Sequence, residues 1–243
     1  MADRNEPTVG VLGAHGASVR WRAGSATASF AARGYRCGSF GVATGSVGNR
    51  SGRSRGMTGE RVVRENRLAE SGRPAKNRGS QGPFFDLGDY PGVRNGQDRV
   101  EPVNEFREHR PATVLTHGFE DLYNMDHPPA HHGTLEARVC AEESGYPAEG
   151  RGSRDEPRRS SLSSRTIRSN AISGRRCRLK SRRSGSASAM AMESMASQQR
   201  LVKDSTVAGE RRAVERASDS GKRHIQYAEV FQRIHPRVTD RLS

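Results

Sequence analysis

Residues 8–21 read Thr-Val-Gly-Val-Leu-Gly-Ala-His-Gly-Ala-Ser-Val-Arg-Trp. Apolar and polar residues alternate in residues 8–12 and again in residues 17–21, and a glycine-flanked turn separates the two runs. This pattern predicts a short β-hairpin. An isolated two-stranded hairpin is only marginally stable in water, so the stretch by itself does not predict a packed domain.

The glycines at positions 10, 13 and 16 superficially resemble the glycine-rich turn of dinucleotide-binding folds. That reading also requires a long helix after the turn and an acidic residue about 20 residues further on. Residues 22–59 are instead rich in glycine, serine, arginine and alanine, as in a flexible linker, and no acidic residue occurs between Pro7 and Glu60. We therefore expect no cofactor.

The supply of large apolar side chains is small. Leucine, isoleucine, valine and phenylalanine make up 38 of the 243 residues, and the formal net charge is +14. A share below about 20% together with high net charge is typical of intrinsic disorder, because too little apolar area is available to offset the entropy of ordering the chain. The composition predicts a mostly intrinsically disordered protein with possible short amphipathic α-helices near residues 187–235.

Charge and composition divide the chain into four regions. Residues 1–59 form a basic Gly/Ser/Arg-rich disordered region, and residues 60–156 a mildly acidic irregular region punctuated by glycine and proline. Residues 157–192 form an arginine-rich basic tract, and residues 193–243 a short helical C-terminal segment. In residues 71–111 the spacing of glycine and proline predicts no helix or strand of ordinary length.

One histidine cluster, at residues 117–132, has metal-ligating potential. Its imidazoles and neighbouring carboxylates are zinc or nickel ligand types: His117, His127, His131, His132, Asp121 and Asp126. Pro128 and Pro129 argue against a helical His-x-x-x-His site, which leaves only a loop site. Solvated histidines are the favoured interpretation, and no metal is expected.

We find no catalytic motif of the nucleophile-elbow, phosphate-loop or zinc-protease type. The cysteines, Cys37, Cys140 and Cys177, are odd in number and far apart, which does not indicate a disulfide framework. The sequence therefore predicts no catalytic residue and no enzymatic activity.

The arginine-rich tract is the one segment whose composition suggests a binding mechanism. Arginine outnumbers lysine 37 to 4 in the chain, and the tract contains ten cations and no acid. Guanidinium groups bind phosphate bidentately, and clustered cations attract polyanions by counterion release. We expect weak, sequence-independent RNA or DNA binding, without a defined protein partner, through Arg158, Arg159, Arg165, Arg168, Arg175, Arg176, Arg178, Lys180, Arg182 and Arg183.

Two alternatives remain open at this point. The chain could be the product of an unselected GC-rich reading frame with no specific function, since such DNA also enriches arginine, glycine and alanine. It could instead be imported into an organelle, because residues 7–59 have transit-peptide composition. No apolar run is long enough for a transmembrane helix, the first residues do not resemble a signal peptide, and residues 175–183 form a weak nuclear-localisation-type cluster, so the compartment stays unknown.

Overall fold

The computed structural model describes residues 8–43, 79–84, 100–122, 124–147, 165–169, 176–181, 199–220 and 227–234. Within these residues the helices are α1 (Gly16–Ala31), α2 (Val100–His109), α3 (His127–Glu142) and α4 (Gln199–Ser220). The strands are β1 (Thr8–His15), β2 (Arg36–Ala43), β3 (Gly79–Phe84), β4 (Thr113–Thr116), β5 (Arg165–Ser169), β6 (Arg176–Ser181) and β7 (Tyr227–Arg233).

The described strands form a single sheet in the order β3-β2-β1-β4-β5-β7-β6. The first five strands in this order are parallel, and β7 runs antiparallel to both of its neighbours. From β1 the chain moves outward to β2 and β3, and it then returns to the other side of β1 as β4. The direction of winding therefore reverses between β1 and β4.

Helices cover the centre of the sheet from both sides. On one face, β1, β2, β4 and β7 pack against α1 in a cluster of Val9, Val11, Ala23, Ala26, Cys37, Leu115 and Phe231. On the other face, β1 and β4 pack against α2 and α3 in a cluster of Leu12, Val103, Phe106, Val114 and Ala137. The result is a three-layer α/β/α arrangement with a mainly parallel sheet.

Small side chains build much of this core. Seven of the sixteen buried apolar residues among the described ones are alanines. Ala14 of β1 packs with Ala130 of α3, and Ala213 of α4 packs with Ala228 of β7. Pairs of alanines allow the helix and strand backbones to approach closely, so dense packing is reached with little side-chain volume.

The turn between α1 and β2 requires a glycine. Gly34 has φ of 85°, in the left-handed region, and its N–H donates to the carbonyl of Ala31. The N–H of Tyr35 donates to the carbonyl of Phe30 in the same turn. These bonds satisfy carbonyls at the end of α1 and redirect the chain into β2.

A buried carboxylate joins β7 to α1. The Oε1 of Glu229 accepts the backbone N–H of Ser25 at 2.9 Å, and its Oε2 accepts the backbone N–H of Ala26 at 2.9 Å. Glu229 is only 3% exposed, and burial raises the pKa of its carboxyl to about 7. This contact ties the antiparallel end of the sheet to the helix that directly follows β1.

The prediction of a mostly disordered chain is therefore wrong. Residues 8–21 form a strand that continues into a helix, instead of a hairpin, and the predicted linker from residue 22 onward contains most of α1 and all of β2. The prediction that residues 71–111 contain no helix or strand of ordinary length is wrong as well, because β3 and α2 lie there. Pro102 is accommodated in the first turn of α2, where a backbone N–H has no helical partner to lose.

The C-terminal helices also differ from the expectation for residues 187–235. A single helix, α4, covers residues 199–220, and residues 227–233 form β7 where another helix was predicted. Residues 187–198 lie outside the described residues. The four-region division at residues 1–59, 60–156, 157–192 and 193–243 stays a prediction.

None of the helices in the described part of the chain combines the length and apolar character needed to span a membrane.

Candidate active site

The candidate site lies at the carboxyl ends of β1 and β4. His15 is the last residue of β1, and His117 directly follows the last residue of β4. These two strands are parallel neighbours, so their carboxyl ends meet at the same edge of the sheet. The reversal of winding between them opens a crevice at this edge, which is where open α/β sheets bind their ligands.

The first residues of α3 complete the site. The helix begins at His127, and Pro128 and Pro129 occupy its first turn. Proline is well suited to this position, because its missing N–H would have no helical acceptor there. His127 and His131 are consequently four residues apart on one helix and lie on the same face. The expectation that the prolines exclude a helical arrangement is wrong.

Two histidine–aspartate pairs define the site. His15 Nε2 lies 3.0 Å from Asp126 Oδ2, and His127 Nδ1 lies 2.7 Å from Asp121 Oδ2. The four side chains are between 3 and 11% exposed. An ionised carboxylate can only accept, so in each pair the imidazole nitrogen is the donor. The pairs therefore fix the orientation of both rings, as the aspartate does in a catalytic triad.

Backbone contacts fix the remaining two imidazoles. The N–H of Ala14 donates to His117 Nε2 at 2.9 Å, which places the His117 proton on Nδ1. His131 Nδ1 donates to the backbone carbonyl of His117 at 2.9 Å, which leaves the lone pair of His131 on Nε2. The end of β1, the start of the β4–α3 loop and α3 are thus joined by hydrogen bonds through histidines.

Aromatic contacts and threonine hydroxyls surround these groups. The rings of His117 and His127 are stacked, with centroids 3.8 Å apart and planes inclined by 10°. The ring of Phe119 lies 6.2 Å from that of His131. Below them, the hydroxyls of Thr116 and Thr134 are 3.2 Å apart and join β4 to α3. The cluster is therefore polar, buried and tightly connected.

This arrangement suits general acid–base chemistry. Imidazole exchanges protons near neutral pH, and a buried aspartate partner both orients the ring and stabilises its charged form. Two such pairs lie close together here, since the rings of His15 and His127 are 5.9 Å apart. One pair can accept a proton while the other supplies one.

Imidazoles and carboxylates are also zinc ligands. In the site described above, these groups form hydrogen bonds with one another. Within the described ranges, three candidate ligand atoms come within 4.8 Å of one another at Glu105, Glu108 and His109 of α2. There His109 Nε2 lies 3.1 Å from Glu105 Oε2 as a helix pair four residues apart, which accounts for the proximity without a metal. The expected absence of a metal stays a prediction.

Cys37 is a buried cysteine of β2, and its chemistry differs from that of the histidine cluster. It lies near the start of β2, and burial raises the pKa of its thiol to about 11. The Sγ atom donates to the carbonyl of Thr27 at 3.5 Å. The thiol therefore stays protonated and acts as a small apolar side chain.

Five residues of the sequence-predicted cluster contribute directly: His117, Asp121, Asp126, His127 and His131. The sixth, His132, is exposed and contacts the site through the edge of the His131 ring. The sequence analysis missed His15, which is 102 residues from His117 in the chain. The signal that could have identified it is its position at the end of a buried strand, directly before a helix.

The ten residues of the predicted nucleic-acid tract are not brought to this site by any described contact. Arg165 and Arg168 lie in β5, and Arg176, Arg178 and Lys180 lie in β6. The other five fall outside the described residues: Arg158, Arg159, Arg175, Arg182 and Arg183. Their role in binding RNA or DNA stays a prediction.

Comparison with known proteins shows that the chain is similar to enzymes. No family model matches the chain. The chain is 38% identical over 140 residues to a 4-oxalmesaconate hydratase of Pseudomonas putida, a match that covers 56% of this chain. In that match the chain spans about half of the relative, since 53% of the hydratase is covered.

Solved structures extend the likeness to the whole fold. The 4-carboxy-2-hydroxymuconate hydratase of Pseudomonas putida superposes with a TM-score of 0.82 at 28% identity, over 98% of this chain and 100% of that one. An N,N'-diacetylchitobiose deacetylase from Pyrococcus horikoshii gives a TM-score of 0.72 at 11% identity, over 94% of this chain and 84% of that one. The deacetylase shows a common fold alone.

These likenesses overturn the functional expectations drawn from composition. The relative found by sequence and a solved structure that superposes on the whole chain are both hydratases, which are enzymes, so the predictions of a basic protein without catalytic activity and of an unselected reading frame are wrong. The arginine-rich composition, which suggested nucleic-acid binding as the function, is compatible with a folded α/β protein. The similarity indicates a catalytic function.

Proposed function

We propose that this protein is a hydratase that adds water across a carbon–carbon double bond of an unsaturated, oxygenated polycarboxylate. The observation that carries the proposal is the convergence of two buried histidine–aspartate pairs at the switch point of the sheet. The 38% identity to one hydratase and the TM-score of 0.82 with another support this reaction over other acid–base reactions.

Hydration requires one proton to leave water and one to arrive at carbon. In the proposed mechanism His127 takes a proton from water, and the resulting hydroxyl oxygen bonds to one carbon of the double bond. The electron pair of the double bond then takes a proton from protonated His15 at the neighbouring carbon. The two histidines return to their starting states by proton exchange with solvent, so the net change is the addition of one water molecule.

The aspartates set these two roles. Asp121 holds the Nδ1–H of His127, so the lone pair that takes the proton lies on Nε2. Asp126 accepts the Nε2–H of His15 and orients its ring. Asp126 is the N-cap residue of α3, and Asp121 contacts His127, the first residue of that helix.

The charge of the protein suits an anionic substrate. The formal net charge is +14, and a positive field raises the rate at which a polycarboxylate meets the protein.

The proposal is tested by steady-state hydration kinetics. The probe is 4-carboxy-2-hydroxymuconate, whose loss of conjugation on hydration lowers its ultraviolet absorbance. We expect His127→Gln and His15→Gln each to lower kcat by about 10²–10⁴-fold, as is usual when a general acid or base is removed. The matched control is His132→Gln, because His132 is an exposed histidine on the same helix.

The control should keep the wild-type kcat, and circular dichroism should show that all three variants are folded. A folded wild-type protein that leaves the probe unchanged would refute the proposal. Equal activity in His127→Gln and His132→Gln would refute the assigned roles.

A further inference from the structure

His117 makes three contacts that together place it at the centre of the site. Its Nε2 accepts the N–H of Ala14, its backbone carbonyl accepts the Nδ1–H of His131, and its ring stacks on His127. The residue is 3% exposed. No other described residue joins β1, α3 and the ring of His127 in this way.

The contact with Ala14 determines the state of the His117 ring. A backbone N–H can only donate, so Nε2 must present its lone pair. Adding a proton to Nε2 would set two N–H groups against each other and break the bond. The His117 ring is therefore kept neutral, with its proton on Nδ1.

The His127 ring is held at two of its atoms. Its Cγ is bonded to the Cβ of a helical residue, and its Nδ1 lies 2.7 Å from Asp121 Oδ2, so a turn about the Cβ–Cγ bond would stretch this hydrogen bond. A second ring at 3.8 Å, inclined by only 10°, also resists the turn, because it packs against the face of the His127 ring. The stack and the hydrogen bond together hold the direction in which Nε2 of His127 points.

We propose that His117 is a positioning residue whose neutral ring face holds the plane of His127 and supports the positive charge that His127 gains when it takes a proton. A neutral aromatic face attracts a cation, whereas a second imidazolium at this distance would repel it. This inference rests on the hydratase proposal, and it gives His117 no proton-transfer role of its own.

Two substitutions separate the two properties of His117. His117→Phe keeps a flat ring for the stack and removes the acceptor for Ala14. His117→Gln keeps an acceptor, since its amide oxygen reaches the place of Nε2, and removes the ring. If the stack positions His127, His117→Phe retains a kcat within about tenfold of wild type, while His117→Gln loses about 10²-fold, close to the loss of the base itself.

A measurement without substrate keeps this test independent of the hydration reaction. In nitrogen-15 histidine spectra, the wild type should show His117 protonated on Nδ1 and a slowly exchanging Nδ1–H proton on His127. This His127 proton should exchange faster with solvent in His117→Gln and keep its slow exchange in His117→Phe.

The outcomes distinguish this inference from the proposed function. An unchanged His127 proton in His117→Gln, or a His117 proton on Nε2 in the wild type, would overturn the positioning role whatever the activity. The expected spectra together with an absence of hydration would leave the positioning role intact and refute the hydratase proposal.

Discussion

Two kinds of donor hold the buried carboxylates of this protein. Asp121 and Asp126 accept hydrogen bonds from imidazoles, which can gain and lose protons during a reaction. Glu229 accepts two backbone amides, which cannot. The proposed function therefore involves the two aspartates, whereas Glu229 holds β7 against α1, although all three are shielded from solvent.

Glu229 gives the protein a pH-dependent stability. Burial raises the pKa of its carboxyl from 4.5 to about 7, so the folded state binds this proton more tightly than the unfolded state does. The stabilisation that the protonated Glu229 contributes to folding is therefore fully present below pH 4.5 and is lost as the pH rises through 7. The pKa difference corresponds to on the order of 3 kcal/mol of folding free energy. We expect urea unfolding to show this loss in the wild type between pH 5 and pH 8, and Glu229→Gln to lack it.

The exposed Glu210 of α4 supplies the matched control, Glu210→Gln, which should follow the wild-type pH profile. Parallel pH profiles for the wild type and Glu229→Gln would show that the carboxyl does not titrate in this range.

The sequence placed five members of the site together because they lie within fifteen residues of one another. His15 is distant from these residues in the chain, and its proximity arises from the parallel pairing of β1 with β4. The sequence predicts no catalytic residue because it contains no local catalytic motif. The candidate site is assembled from the ends of separate strands, a pattern that local motifs do not capture.

At the scale of elements, a side-chain contact joins α2 and α3 near their C-terminal ends. The Arg107 guanidinium of α2 donates to carbonyls at and beyond the end of α3, reaching Glu143 at 2.8 Å and Tyr146 at 3.2 Å. It also contacts the carbonyl of Cys140 at 3.4 Å. One side chain thereby satisfies several carbonyls that a helix terminus leaves without partners.

Removing this guanidinium should destabilise the α2–α3 layer. We expect Arg107→Met to lower the free energy of unfolding by about 1–3 kcal/mol, because the carbonyls lose charged donors while the apolar stem is kept. Urea denaturation measures the effect. Arg33→Met, at an exposed arginine in the α1–β2 turn, is the control and should match the wild type; an Arg107→Met protein as stable as this control would contradict the capping role.

Several elements were missed for reasons that are physical. β1 is buried along its whole length, so the alternation in residues 8–12, which indicates a half-exposed hairpin strand, occurs instead in a central parallel strand. Pro128 and Pro129 argue against a helix inside an element but not at the start of α3, because the first turn is where proline fits best. A short segment such as β7 shows an apolar pattern that also fits a helix, and only its pairing with β5 and β6 decides the matter.

At the scale of the whole molecule, the expectation of disorder came from counting large apolar side chains. That count omits alanine, which supplies seven of the sixteen buried apolar residues among those described. It also treats net charge as a force against folding, whereas charge on the surface of an α/β/α sandwich affects mainly solubility and the choice of binding partners. The composition therefore predicts disorder wrongly, because the chain forms a sheet whose strands pair in the order described above.

At the scale of the whole molecule, the sheet brings two histidine–aspartate pairs together, and we propose that these pairs add water to a double bond. The most direct test is to incubate the purified protein with 4-carboxy-2-hydroxymuconate in water enriched in oxygen-18 and to measure the mass of the product by mass spectrometry. We predict that each product molecule gains one heavy oxygen atom on carbon, and that His127→Gln abolishes this gain. A product without heavy oxygen, or a substrate recovered unchanged by folded protein, would contradict the account.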